Sequence, residues 1–180
     1  MGRGDQGRRA VRRLTTRPKR LRRFHPAGVG RVLTGHGVTP LGNDAGTAAA
    51  RVDDAFVVVG GVRRALYVLD SITEAVGRAE GAVVVSGSHG GLSAGRFALQ
   101  ARVALAVFND AGVGKDGAGI AALALLDAQD VAACAVSHDS ACIGNARSTL
   151  QHGVLSHVNA AAAALGARPG LALRDWLHPD

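Results

Sequence analysis

Aromatic side chains are nearly missing: one Trp, one Tyr and four Phe serve 180 residues. A core without them has to be filled by Val, Ala and Leu, which suits helices packed tightly onto a sheet. Only two cysteines occur, Cys134 and Cys142, too few for a disulfide framework in a chain of this length. Cys134 lies in an apolar run and reads as a small buried hydrophobe, and a reducing cytoplasm is the expected location. No apolar run approaches the ~20 residues that span a bilayer, which argues against a membrane helix. After Lys19 the only lysine is Lys115. The length suffices for one well-buried core and is short for two.

What is abundant is arginine, and it is unevenly placed. Residues 1–31 carry eleven Lys or Arg and one acid, a net +10, whereas residues 32–180 carry ten and thirteen, a net −3. The basic character belongs to the first segment. With Pro18, Pro26 and no sustained apolar period, residues 1–31 read as a disordered arm ahead of a single domain over 32–180. The arm's arginine pair is not followed by a signal-length apolar stretch, so export is not expected. Its arginines could contact nucleic-acid phosphates, but no aromatics are interleaved to stack on bases, so a solvated tail is the simpler reading.

From about residue 52 the pattern changes. "AFVVVGG", "ALYVLDSI", "AVVVSGS", "VALAVFNDAG" and "VAACAVSHDS" are apolar runs without polar alternation, as in strands covered on both faces. Helix-compatible stretches intervene or follow: "LSAGRFALQA", "DGAGIAALALLDAQ" and "SHVNAAAAALGA". The alternation predicts right-handed crossovers in a mostly parallel sheet, a three-layer α/β sandwich of Rossmann-like or flavodoxin-like type. Ligands of such sheets sit outside the carboxyl ends of the strands.

Three of these runs end in polar loops. The third ends in Ser86-Gly87-Ser88-His89-Gly90-Gly91, the fourth in Asn109-Asp110-Ala111-Gly112 and the fifth in Ser137-His138-Asp139-Ser140. Neighbouring strands would gather these groups on one edge. In the glycine-rich "GVGKDGAGI", Lys115 adds a charge and Asp116 is placed to cap the next helix, which suggests a pocket for an anion between this loop and "SGSHGG".

Known motifs fit poorly. "GVGKD" is not a phosphate-binding P-loop, because the required upstream Gly is missing and Asp116 replaces Ser or Thr. Neither the dinucleotide fingerprint nor a nucleophile elbow is present. A His-Gly after one strand and an Asp-Ala after the next resembles caspase-like peptidases over a few residues, but Gly112 stands where that family has its cysteine.

The expected function is therefore argued from residue types. A small-molecule enzyme of hydrolase or lyase/isomerase type would act on a polar, anionic substrate without a cofactor. His89 or His138 would move protons, and Asp110 or Asp139 would orient or act as base. Ser86, Ser88, Gly90, Asn109, Lys115, Ser137 and Arg147 would bind substrate, Lys115 and Arg147 through its negative charge. Two alternatives stay open. One is a divalent metal such as zinc on His89, Asp110 and His138, with Asp139 nearby. The other is a non-enzymatic anion-binding module whose arm meets nucleic acid.

The C-terminal part offers Asn145, Ser148, Thr149, His152, His157 and Asn159, with His157 and Asn159 read as capping or packing an alanine-rich helix. Gly166 and Pro169 mark that helix's end. Its small face, and an exposed anchor at Trp176 and Leu177, suggest a homo-oligomer as partner.

Overall fold

The computed structural model describes residues 55–177. The proposed arm and the start of the domain at residue 32 lie outside them. Six strands form one mixed sheet: β1 (Phe56–Val59), β2 (Val62–Leu69), β3 (Val83–His89), β4 (Leu105–Asn109), β5 (Ala132–Val136) and β6 (Leu155–Val158). Five α-helices accompany them: α1 (Leu92–Ala101), α2 (Ala121–Asp127), α3 (Ala146–His152), α4 (Ala160–Ala164) and α5 (Leu173–Leu177). The chain is an α/β protein.

The strands lie side by side in chain order, β1 to β6. The inner pairs β2–β3, β3–β4 and β4–β5 are parallel, and both outer pairs are antiparallel. The runs "AFVVVGG" and "ALYVLDSI" are both strands, as expected, and they form an antiparallel hairpin, because Gly60 and Gly61 close a two-residue turn with φ of 57° and 74°, the mirror-image turn that matches strand twist. The four parallel strands run in sequence without a reversal of order.

Successive side chains of each inner strand enter two separate cores, which explains the unbroken apolar runs. Val83, Val85, Leu105, Val107, Cys134 and Val136 face one cluster, completed by Ala146 of α3 and by Leu173, Trp176 and Leu177 of α5. Val84, Ala106, Phe108, Ala133 and Ala135 face the other, completed by Ala94 and Ala98 of α1 and by Ala122, Leu123 and Leu126 of α2. Small residues let α1 and α2 approach closely; a Cβ on Gly95 would lie 3.0 Å from that of Ala122.

Two C-terminal expectations change. Trp176 is 9 % exposed and donates its indole N–H to Leu165 O at 3.2 Å, and Leu177 is fully buried, so neither is an exposed anchor. The stretch "SHVNAAAAALGA" also splits: Leu155–Val158 pair with β5, and only Ala160–Ala164 are helical. Asn159 caps that helix by accepting the Ala162 N–H at 2.9 Å, as its position suggested. Cys134 is a buried hydrophobe whose thiol burial pushes well above its ordinary range. Among the described residues no helix is long and apolar enough to cross a membrane.

Candidate active site

Parallel pairing carries the ends of β4 and β5 to one sheet edge, and antiparallel β6 begins at that same edge, since Leu155 pairs with Val136. Asp110 follows β4 directly. Its side chain is 6 % exposed, and one oxygen, Oδ1, accepts the Gly112 N–H at 2.9 Å, the His138 N–H at 3.0 Å and a 3.0 Å bond from His138 Nδ1. Burial opposes ionisation of this carboxyl. The donors of Gly112, the Ser156 hydroxyl and His138 outweigh it and hold Asp110 below the usual carboxylate range. Ser156 Oγ is also within 3.2 Å of the Ala135 carbonyl, so one hydroxyl proton has two acceptors in reach.

An ionised Asp110 at Nδ1 holds that nitrogen as an N–H donor, so a proton exchanged by the ring would move at Nε2. The ring is half-exposed, and Nε2 lies 3.4 Å from Oδ1 of Asp139, whose side chain is 84 % exposed. Asp139 is a solvated neighbour that a ligand could displace. Asp110 and His138 thus form a pair with a buried carboxylate end and a half-exposed imidazole end.

The folded state gains from the ionised Asp110, so its lowered pKa is a stability term. An unfolded Asp titrates near pH 3.9. The contribution is fully present above that value and is lost as pH falls through the lower folded value. Thermal unfolding of wild type and Asp110→Asn should differ most at neutral pH, and the gap should narrow as pH drops below about 4. A gap that stays constant down to strongly acidic pH would show that Asp110 is not held ionised by its surroundings.

The loop after Asp110 is strained. Ala111, Gly112, Val113 and Gly114 all have positive φ, between 50° and 71°. Val113 N–H donates to Asp110 O and Gly114 N–H to Gly112 O, both at 2.7 Å, so a three-residue turn is centred on β-branched Val113 at φ 66°. Such outliers persist where surrounding structure enforces them, often at functional sites. Left-handed φ costs a residue with a Cβ roughly 1–2 kcal/mol, and glycine's extra chain entropy costs about 0.5–1. Val113→Gly should therefore leave the urea midpoint unchanged or move it slightly upward. A loss above about 2 kcal/mol would mean Val113 contributes packing that exceeds its strain.

A second irregularity lies on β6. Between Leu155, opposite Val136, and His157, opposite Ala135, Ser156 is an extra residue and hence a β-bulge. It brings Ser156 to Asp110, and His157 Nδ1 lies 3.1 Å from Ser156 Oγ. His157 and Asn159 help line a groove of about 900 Å³ that runs along α2. The sequence pattern points to no role for Ser156 and to a capping or packing one for His157.

The remaining expected site residues divide by use. Asn109 is buried with both amide ends engaged, donating to Ala141 O and accepting from Ala111 N, each at 2.9 Å. Ser86 Oγ accepts from Ser88 N at 2.9 Å, Ser88 Oγ from Ile72 N at 3.1 Å, and Ser137 Oγ from Asp139 N at 3.1 Å. These hydroxyls fasten loops. His89 is exposed, its ring close over Gly91. Lys115 and Arg147 are both exposed, Arg147 in the first turn of α3.

The pocket expected between "SGSHGG" and the helix near Asp116 is filled by the chain itself. Gly90 O accepts the Ala122 N–H at 2.8 Å, and a Cβ on Gly90 would sit 3.0 Å from Gly119 O. Asp116 makes no side-chain cap; it lies at φ 55° inside a kinked 3-10 segment (Lys115–Ile120). Gly87 serves close approach too: Gly144 N–H reaches its carbonyl at 2.7 Å, and a Cβ there would lie 2.5 Å from Asn145 N. Among the described residues no three His, Cys, Asp or Glu side chains gather closely enough to hold a metal ion, so His89 does not join Asp110 and His138 as a ligand set.

No family model, curated protein or solved structure matches the chain.

Proposed function

We infer that the protein is a small-molecule enzyme of hydrolase or lyase/isomerase type that works by general acid–base catalysis, with His138 transferring the proton and Asp110 orienting it. The observation that carries this reading is the 3.0 Å contact from His138 Nδ1 to a buried, backbone-fastened carboxylate, with Nε2 on the half-exposed side of the ring beside only the solvated Asp139. A surface histidine with no task gains little from a partner held by its own backbone N–H and by that of Gly112 on the strained loop. Lys115, in the loop that leaves Asp110, would meet negative charge developing on the substrate. Rossmann-like and flavodoxin-like sheets bind ligands where strand order reverses. Here the order runs β1 to β6 without reversal, so the reading rests on the Asp110–His138 pair and not on a switch point.

The test is a panel of activated esters and amides, together with hydroxy acids and amino acids that carry a removable α-proton, assayed with wild type and His138→Gln. Turnover by wild type that is lost in His138→Gln supports the reading. Equal turnover by both, or none by wild type across the panel, counts against it.

A further inference from the structure

The groove along α2 is apolar through its middle and acidic at its ends. Leu92, Ile120, Leu125 and Val158 supply apolar wall, and Leu92 is 51 % exposed although it is a large hydrophobe. Asp116 lies just before α2 and Asp127 is its last residue, and both line the groove. Among the described residues neither carboxylate has an ion-pair partner, and no Lys or Arg lines the groove. Asp127 Oδ1 accepts one weak bond, from Ala161 N at 3.3 Å. His157 is the other titratable group on the wall. Lys115 is next to Asp116 in sequence but is not among the lining residues.

An anion entering here would lose water beside two uncompensated carboxylates and gain no cation. A neutral apolar molecule would cover Leu92 and Ile120 but leave the carboxylates as they are. A protonated amine on an apolar body gains at both places: its hydrocarbon buries wall surface at about 25 cal/mol per Å², and its ammonium meets a carboxylate. We propose that the α2 groove binds an aliphatic or aromatic primary amine, with its ammonium against Asp116 or Asp127 and its apolar body along the leucine and isoleucine wall. The volume, about 900 Å³, is of the size that holds a small organic ligand. The inference names the ligand class for the groove that adjoins Ser156 and His157. It rests on the acid–base reading only for what happens to that ligand afterwards.

Binding is measured on the full chain, without turnover, by titrating octylamine, 1-octanol and octanoate at neutral pH and following backbone amide resonances. Octylamine should bind tightest and octanoate weakest, with shifts concentrated on residues 116–127 and 157–160. Each carboxylate, Asp116 exposed and Asp127 half-buried, should favour the amine over the alcohol by about two- to five-fold, and the preference should fade in high salt. The Asp116→Asn/Asp127→Asn double variant should bind octanol as before and lose the preference for octylamine. Octanoate binding as tightly as octylamine, a preference that survives in the double variant, or shifts lying elsewhere would each overturn the proposal. An amine preference without turnover on any substrate would remove the enzyme reading and leave this one intact.

Discussion

His138→Gln is expected to lower turnover roughly 100- to 10,000-fold, the range usual for a group that transfers a proton in the transition state, while the thermal transition hardly moves. The separation follows from where the residue sits. Its ring is 49 % exposed, so little packing is lost on replacement. Its backbone N–H, which donates to Asp110 at 3.0 Å, is kept whatever the side chain. Glutamine retains a side-chain amide that can donate toward the carboxylate but has no nitrogen that accepts and releases a proton near neutral pH. Asp110→Asn should differ, because it also disturbs a buried acceptor of several N–H groups and so lowers stability together with activity. If His138→Gln destabilises the fold as much as Asp110→Asn, His138 has a structural part and the division of roles is wrong.

The second large effect is expected at Gly119. A Cβ there would lie 2.4 Å from Asp110 O, 2.9 Å from Val113 O and 3.2 Å from Val113 C. All three are backbone atoms of the strained loop and cannot swing aside as a side-chain tip can. Gly119 N–H also donates to Val113 O at 2.7 Å, which ties the two segments together. Gly119→Ala must push the loop off and displace the residue that carries the orienting carboxylate. Overpacking of this kind costs about 1–3 kcal/mol and occasionally more, and most activity should go with it. Gly117→Ala is the control. Its φ of 74° and ψ of 19° lie in the left-handed helical region, and the nearest atom to a Cβ is 4.0 Å away, so only the backbone cost of about 1 kcal/mol applies. Equal urea midpoints for the two variants would show that the contact at Gly119 is relaxed easily.

β3, β4 and β5 were legible because each opens on an apolar run buried on both faces, and α1 was legible to the residue: "LSAGRFALQA" is Leu92–Ala101. The hairpin was missed although its signal is in the sequence, a Gly-Gly pair between two β-branched runs. β6 was hidden by shortness and polarity. Four residues reading Leu-Ser-His-Val do not stand out from the flank of an alanine-rich helix, and their strand character comes from pairing with β5. α3 carried a readable cap, since Asn145 accepts the Ser148 N–H at 2.8 Å, but its seven residues bury only Ala146 and Thr149. At the site, Asp110 and His138 were foreseeable as polar groups ending neighbouring strands. Ser156 was not, because a bulge is a property of register between two strands, and register is not written locally in either.

Because strand order in space repeats strand order in the chain, each parallel strand finds its edge on the strand made just before it. Chain synthesis runs from the amino end, and contacts close in sequence are the quickest to form. The sheet can therefore grow by successive addition as the polypeptide leaves the ribosome, with β2, β3 and β4 laid down before β5 has emerged. Asp110 is then in place early, His138 arrives with the next strand, and Ser156 completes the edge from the last. A nascent chain stalled before residue 155 would own a nearly finished sheet and a polar edge still without Ser156.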